Sequence, residues 1–375
     1  MLDIYTLVNM YRKLLVFIFI STSYFLNAQQ LQTETVVQLE VNLIETSGLL
    51  FLNDKVITHN DSGSDTKLYE IDTLTGNISR TVVVDNVTNI DWEDICMDAD
   101  YIYIGDFGNN AGSRTDLKIY KISISDYNNT LNDTVTAETI NFNFGNQTSF
   151  TSALFTTNFD VEALLSFGDS LYVFTKNWGN SETSYYAISK LQGSYAVNPK
   201  GTINSQGMIT GGVYNNLSNE ILLCGYTFFQ PFVIRISQFL QDDFENGNID
   251  RFLINVGTSS IQIEGICNYS NEGYYLSSES HLSGDSELLK ITKANDLGLN
   301  YNQTEGVILF PNPVSDILFI NSSKNVEVEL YNSLNELIMV TTSKQLNISN
   351  LIRGLYVVRV FEEHGENTIH KIIVQ

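Results

Sequence analysis

The 375-residue sequence predicts an all-β chain: a β-propeller of five blades, with six as the alternative, followed by a small C-terminal β-sandwich. Three observations predict it. Short strands recur between residues 31 and 300 in units of similar layout, with no helical period between them. A separate run of alternating strands with turn residues occupies residues 307–375. The composition is that of a folded β-protein, with 20 Tyr, 21 Phe and only four prolines.

The five units open with ETSGLLFL, DWEDICMD, DVEALLSF, MITGGVYN and QIEGICNY. Aligned on a polar position near each start, they place Ser47, Glu93, Glu162, Thr210 and Glu264 in one register, at intervals of 46, 69, 48 and 54 residues. A second strand follows in each unit (ITHND, YIYIGD, LYVFTK, ILLCGY, YYLSSE), then a third (LYEID, IYKIS, YYAIS, FVIRIS, LLKIT). Fourth strands are TVVVD, TINFNF, a weaker match around KGTI, and RFLINV. The fifth unit runs out before its fourth strand, and the unassigned strand TVVQLEV at residues 35–41 is expected to fill the gap. Closing the ring with the two ends of the repeat region removes exposed sheet edges. A sixth blade would have to hide in the long second unit. A linker at 297–306 leads from the propeller (29–296) to the C-terminal domain.

Propeller geometry converts this register into a site. The start of each innermost strand pairs with the end of the second, so two rings of side chains meet at one face. The first ring is Ser47, Glu93, Glu162, Thr210 and Glu264, with Glu45, Asp91 and Asp160 two residues upstream on the same side of the pleat. The second is Asp61, Asp106, Lys176, Tyr226 and Glu279. Converging carboxylates are costly unless they protonate, bond to backbone amides or share a metal. Calcium suits an oxygen-only donor set. The competing expectation is that these acids bond neighbouring backbone amides and fix blade spacing. Zinc is disfavoured, because of the four histidines only His59 falls near this face.

Lys176 and Arg114 are the candidate anion contacts, Arg114 lying just beyond the loop GDFGNN at 105–110. Lys176 has a second reading, as the partner of Glu162. Trp92 and Trp178 leave strands at this face and suit either ligand stacking or packing between blades. The segment HNDSGSD at 59–65 lacks EF-hand spacing and reads as hairpin turn chemistry. Cys96, Cys224 and Cys267 sit among apolar strand residues without metal-site spacing, and are expected to be buried thiols. No Walker loop, GxSxG elbow or HExxH motif is present.

Both ends of the chain read as addresses. Arg12 and Lys13 precede an apolar run at residues 14–26, with Ala28 after it, the layout of a signal peptide over residues 1–28. That run is short for a bilayer span, so no transmembrane anchor is expected. At the other end, Pro311-Asn312-Pro313 with Leu318 and Ile320, then Leu351, Gly354, Leu355 and Tyr356, then Lys371-Ile372-Ile373-Val374 resemble the C-terminal sorting domain of Bacteroidetes proteins exported by the type IX (Por) secretion system. The resemblance implies a secreted or surface protein whose residues 307–375 engage the secretion machinery. It also implies cleavage before the sorting domain, giving a processed form from near Gln29 to near Asn302.

Net charge is −23, and −24 once residues 1–28 take away one acid and two bases. Such a surface repels nucleic acid and anionic membranes, and neither is expected as a partner. The acid at the start of inner strands resembles calcium-dependent apyrases, which are five-bladed, and more distantly β-propeller phytases. That resemblance implies metal-site roles for Glu93, Glu162 and Glu264, with Asp106 and Glu279 in the upper ring. Two functions follow. One is a propeller that binds a small-molecule or glycan ligand at an acidic, calcium-containing mouth. The other is a metal-dependent phosphoester hydrolase. Glycoside cleavage by paired carboxylates is a third reading. Cation supply favours binding, since phosphate enzymes gather Arg and Lys at the mouth and this chain offers only Lys176 and Arg114.

Overall fold

In the computed structural model of the protein, the described residues are 30–63, 65–227, 230–255, 261–270, 273–279, 286–291, 308–310, 314–322, 324–332, 337–362 and 367–374. The segments expected to be signal peptide and linker, and Pro311 to Pro313, lie outside them. The chain divides into two compact units, residues 1–299 and 300–375.

The first unit begins with β1 (Gln30–Gln38) and then builds antiparallel blades one after another. Blade 1 is β2 (Thr46–Leu52), β3 (Lys55–Asn60), β4 (Lys67–Ile71) and β5 (Ile78–Val84). Blade 2 is β6 (Trp92–Met97), β7 (Tyr101–Asp106), β8 (Lys118–Ser123) and β10 (Glu138–Phe144); α1 (Ile124–Asn129) and β9 (Thr134–Val135) lie between its last two strands. Blade 3 is β11 (Val161–Phe167), β12 (Ser170–Thr175), β13 (Thr183–Ser189) and β15 (Pro199–Ile203), with β14 (Gly193–Val197) inserted. Blade 4 is β16 (Met208–Asn215), β17 (Glu220–Thr227), β18 (Gln230–Ser237) and β19 (Asn248–Asn255). Blade 5 is β20 (Gln262–Asn268), β21 (Tyr274–Glu279) and β22 (Glu287–Ile291), completed by β1.

Among the described residues there are thus five blades, and the extra length of the second repeat goes into α1, β9 and loops. Residues Thr33 to Gln38 of β1 pair antiparallel with β22, while Gln30 to Gln32 run parallel to Leu253–Asn255 of β19. One strand therefore ties blade 4 to blade 5 and closes the ring. The same device recurs at two other seams, where β9 runs parallel to β5 and β14 parallel to β10. These add-on strands cover outer edges that would otherwise expose unpaired backbone groups.

The core is a ring of five interfaces. Leu50, Ile57 and Val82 of blade 1 pack on Trp92, Ile102 and Ile104 of blade 2. Ile140 and Phe144 of blade 2 meet Leu164, Val173 and Tyr186 of blade 3. Phe174 and Tyr185 of blade 3 meet Ile221, Phe232 and Phe244 of blade 4. Blades 4 and 5 share Cys224, Phe252, Ile266 and Leu276, and blade 5 meets blade 1 through Leu288, Cys267, Leu49 and Val56. Alternation along each strand sends successive side chains to opposite faces, so each sheet feeds two of these cores. The three cysteines are free and buried, as the sequence predicts.

The second unit has two sheets. One is β23 (Ile308–Phe310), β24 (Ile317–Asn321) and β27 (Gln345–Asn347); the other is β26 (Leu337–Thr341), β25 (Val326–Asn332), β28 (Gly354–Glu362) and β29 (Asn367–Val374). Leu318 and Ile320 of the first pack with Val328, Tyr356, Val358, Ile372 and Val374 of the second. This is the expected sandwich, and the resemblance residues among these are core.

Candidate functional site

Each innermost strand of the propeller carries a register irregularity at the polar position picked out by the repeat. The shifts fall between Thr46 and Leu49, Trp92 and Ile95, Val161 and Ala163, Ile209 and Gly211, and Ile263 and Gly265. A bulge re-aims the extra side chain. Ser47, Glu93, Glu162, Thr210 and Glu264 all lie at these bulges and are buried. The predicted hairpin geometry holds around the ring, with Thr46 paired to Asn60, Trp92 to Asp106, Val161 to Thr175, Met208 to Tyr226 and Gln262 to Glu279.

The residue after each ring position is Gly48, Asp94, Ala163, Gly211 or Gly265. Four are small because the inner strands crowd here: a Cβ on Gly211 would lie 2.6 Å from the Glu264 carbonyl oxygen, and one on Gly265 2.5 Å from that of Ser47. The fifth is Asp94, fully buried, which sequence reasoning missed. Its Oδ1 accepts from its neighbour Ile95 N at 2.8 Å; its Oδ2 accepts from Leu164 N at 2.8 Å and Gly212 N at 3.1 Å. Burial pushes its carboxyl well above the usual range, against the pull of these three donors. The legible signal was the single acid in a column of small residues.

Two ring positions are structural hydroxyls. Ser47 Oγ donates to the Glu93 carbonyl and Thr210 Oγ1 to the Ile263 carbonyl, each reaching the next acidic blade.

Above this layer opens a polar cavity of about 90 Å³, lined by Glu45, Thr46, Ser47, Asp61, Glu93, Asn110, Glu162, Lys176, Gln262, Glu264 and Glu279. Lys176 Nζ sits 3.0 Å from Glu162 Oε1, both nearly inaccessible. Lys176 also stands over the rings of Trp178 and Tyr226, 5.0 and 5.6 Å from their centroids. The carboxylates around it hold its proton well above the usual lysine range despite burial. Glu93 and Glu162 are pushed well above theirs, chiefly by burial, with mutual repulsion adding to the rise for Glu93. Glu264 is pushed up to about 8 by burial, although Gln262 Nε2 donates to its Oε1 at 3.2 Å and to Glu279 Oε1 at 2.6 Å.

A second cluster shares Glu93. Single carboxylate oxygens of Asp61, Asp91 and Glu93 lie within 4.8 Å of one another, the spacing that can hold one metal ion. Burial and then Asp91 push Asp61 up to about 7; burial and then Asp160 push Asp91 up to about 6. Gly108 packs against them, and a Cβ there would come 2.0 Å from Glu93 Oε1 and 2.4 Å from Asp91 Oδ2. Of the expected ligand set only Glu93 is in this cluster, since Glu162 is occupied by Lys176 and Glu264 by Gln262.

Asp106, Asp160 and Arg114 are not among the residues lining the cavity. Asp106 is fully buried, its Oδ1 accepting from Arg114 Nη2 at 2.9 Å and Asp91 N at 3.1 Å, its Oδ2 from Tyr120 OH at 3.2 Å. Arg114 spends the rest of its guanidinium on Asp116 and the Gly108 carbonyl, so it braces the 105–116 loop. Asp160, also fully buried, accepts from Asn109 N at 2.6 Å and Trp178 Nε1 at 2.8 Å. Asp106 and Asp160 each accept one backbone amide and otherwise side-chain donors. Trp92 is core, in edge contact with His59 at 5.6 Å; burial pushes His59 down to about 4. Asp65 pairs with Lys67 in its hairpin.

Residues 308–375 match the secretion system C-terminal sorting domain family. None of the curated proteins compared with the chain matches it. Among solved structures, the PQQ-bound aldose sugar dehydrogenase of Streptomyces coelicolor is similar over 69% of this chain and 97% of its own, at 12% identity and a TM-score of 0.41. The soluble aldose sugar dehydrogenase of Escherichia coli, in its apo-form, gives 69%, 98%, 9% and 0.39. The hydrazine synthase of Kuenenia stuttgartiensis gives 71%, 82%, 12% and 0.36. The sorting domain marks the chain for export by the type IX system to the cell surface or beyond. Among the described residues no helix is long and apolar enough to cross a membrane.

Proposed function

We propose that this exported propeller is a ligand-binding module whose mouth holds a calcium ion between Asp61, Asp91 and Glu93. The observation that carries the reading is the approach of these three carboxylates within 4.8 Å, while the nearest bases are bound elsewhere, Lys176 by Glu162 and Arg114 by Asp106. An all-oxygen donor set suits a hard cation, and Gly108, having no side chain, lets the Asp91 and Glu93 carboxylates pack against its backbone. When bound, the ion would offset the repulsion that now raises Asp61 and Asp91. Its coordination would be completed by water or by oxygens of a ligand entering the cavity.

Binding is favoured over phosphoester hydrolysis for the same reason. Both candidate phosphate contacts are engaged by carboxylates. Isothermal titration of the exported protein with calcium tests the reading. One saturable site, lost in Asp91→Asn, supports it; no heat of binding in the wild type contradicts it.

A further inference from the structure

We propose that Phe155 and Trp178 form a stacking shelf for a neutral sugar ring at the edge of the acidic mouth. The inference rests on the reading of that mouth as a ligand site and names the class of ligand. Phe155 is 56% exposed, and its ring centroid lies 4.7 Å from that of Trp178 at an interplanar angle of 59°. Its backbone is in the left-handed region, φ 57°, which a bulky aromatic adopts only when its surroundings impose it.

The surroundings are the two loops over the mouth. Phe155 N donates to the carbonyl of Asn110, a residue of the cavity wall, at 3.1 Å, and Ala153 N donates to that of Ala111 at 3.0 Å. Gln147 Nε2 adds a bond to the Gly112 carbonyl at 2.8 Å. The indole is fixed from the other side. Its Nε1 donates to buried Asp160, and Lys176 of the cavity wall lies 5.0 Å from its ring. The chain thus holds an exposed aromatic in a strained conformation, against a clamped indole, next to a cavity of carboxylate and amide oxygens.

That juxtaposition selects a ligand class. Aromatic faces take the apolar C–H face of a pyranose or the face of a nucleobase. Carboxylates and side-chain amides beside the shelf accept from hydroxyl groups, whereas the phosphates of a nucleotide would meet Asp61, Glu93, Glu264 and Glu279 with Lys176 already paired. Even with one calcium ion bound, the lining acids outnumber the positive charges of that ion and Lys176, which disfavours uronic and sulfated sugars. A neutral glycan satisfies both halves of the site.

The protein contains two tryptophans, and Trp92 is fully buried, so fluorescence quenching on ligand addition reports Trp178. The exported protein is titrated with neutral oligosaccharides (β-glucan, α-glucan, xylan and mannan fragments), a uronic-acid oligosaccharide and adenosine monophosphate. The expected result is saturable quenching by at least one neutral oligosaccharide, weakened about tenfold in Phe155→Ala and retained in Phe155→Tyr. Phe155 is exposed, so an unchanged melting temperature shows that the variant is folded. No response to any neutral oligosaccharide at millimolar concentration overturns the proposal. So does quenching that Phe155→Ala leaves unchanged, or tighter binding of the nucleotide or the uronic acid. Calcium titration is an independent readout: a protein that binds calcium but no sugar refutes the shelf and leaves the cation site standing.

Discussion

A Cβ at Gly48 would lie 2.6 Å from Asp94 Oδ1, so the smallest side chain of blade 1 makes room for the buried carboxyl of blade 2. From that position Asp94 reaches the backbone of blades 3 and 4, through Leu164 N and Gly212 N. One side chain therefore meets three inner strands besides its own. Blade spacing under the mouth depends on it.

Replacing it should be costly. Asp94→Ala leaves the amides of Ile95, Leu164 and Gly212 without this acceptor, and a loss of about 3 kcal/mol or more is expected in urea unfolding. Asp94→Asn keeps an acceptor oxygen and should cost less. Gly48→Ala should cost about 1–3 kcal/mol by overpacking. Equal stability of Asp94→Ala and wild type would contradict the pin.

The mouth predicts an unusual pH dependence in calcium-free buffer. Asp61 and Glu264 have folded values raised to about 7 and about 8. The unfolded chain releases these protons near the ordinary values of 3.8 and 4.5, while the folded protein holds them to about 7 and 8. Stability thus falls as pH rises from about 5 through about 8 and levels off above. His59, lowered to about 4, acts in the opposite direction but only below about pH 6.5, because both states are neutral above it. Melting temperature should therefore drop between pH 6.5 and 8.5 with chelator present. Calcium should flatten the drop.

Lys176 is the counter-charge of Glu162. Lys176→Met should destabilise by about 3 kcal/mol, because it leaves Glu162 buried among Glu93, Asp160 and Glu264. The double variant Lys176→Met with Glu162→Gln should recover most of that loss in denaturant midpoints. A surface-like pair would show neither effect.

Export depends on the second unit. A chain lacking residues 308–375 should accumulate inside the cell envelope, while the full chain reaches the surface or the medium. If sorting ends in cleavage, intact mass of the exported form should fit a chain from near Gln29 to near Asn302. A retained C-terminal unit would contradict that processing.

The blades were legible because apolar alternation repeats, and the closing strand because the last unit lacked a partner. The polar ring was legible for the same reason, as one register position per unit. Contacts between units were not. Asp106 and Asp160 share the periodicity of the mouth acids, yet Arg114 and Trp178 draw them into loop contacts that no strand period encodes. Asp94 hid beside Glu93 because adjacent acids look alike until a bulge separates their directions. Grouping Asp61 with Asp91 and Glu93 required knowing which second-strand end faces which neighbour. The shelf at Phe155 lies in a loop, outside every repeat.

The most direct test of the cation-binding mouth is the melting temperature of the exported protein with calcium and with chelator at pH 8. A rise with calcium, saturating and abolished in Asp91→Asn and Glu93→Gln, is the predicted result. Identical melting in calcium and chelator would contradict the account and leave the acidic wall as protonated structural carboxyls.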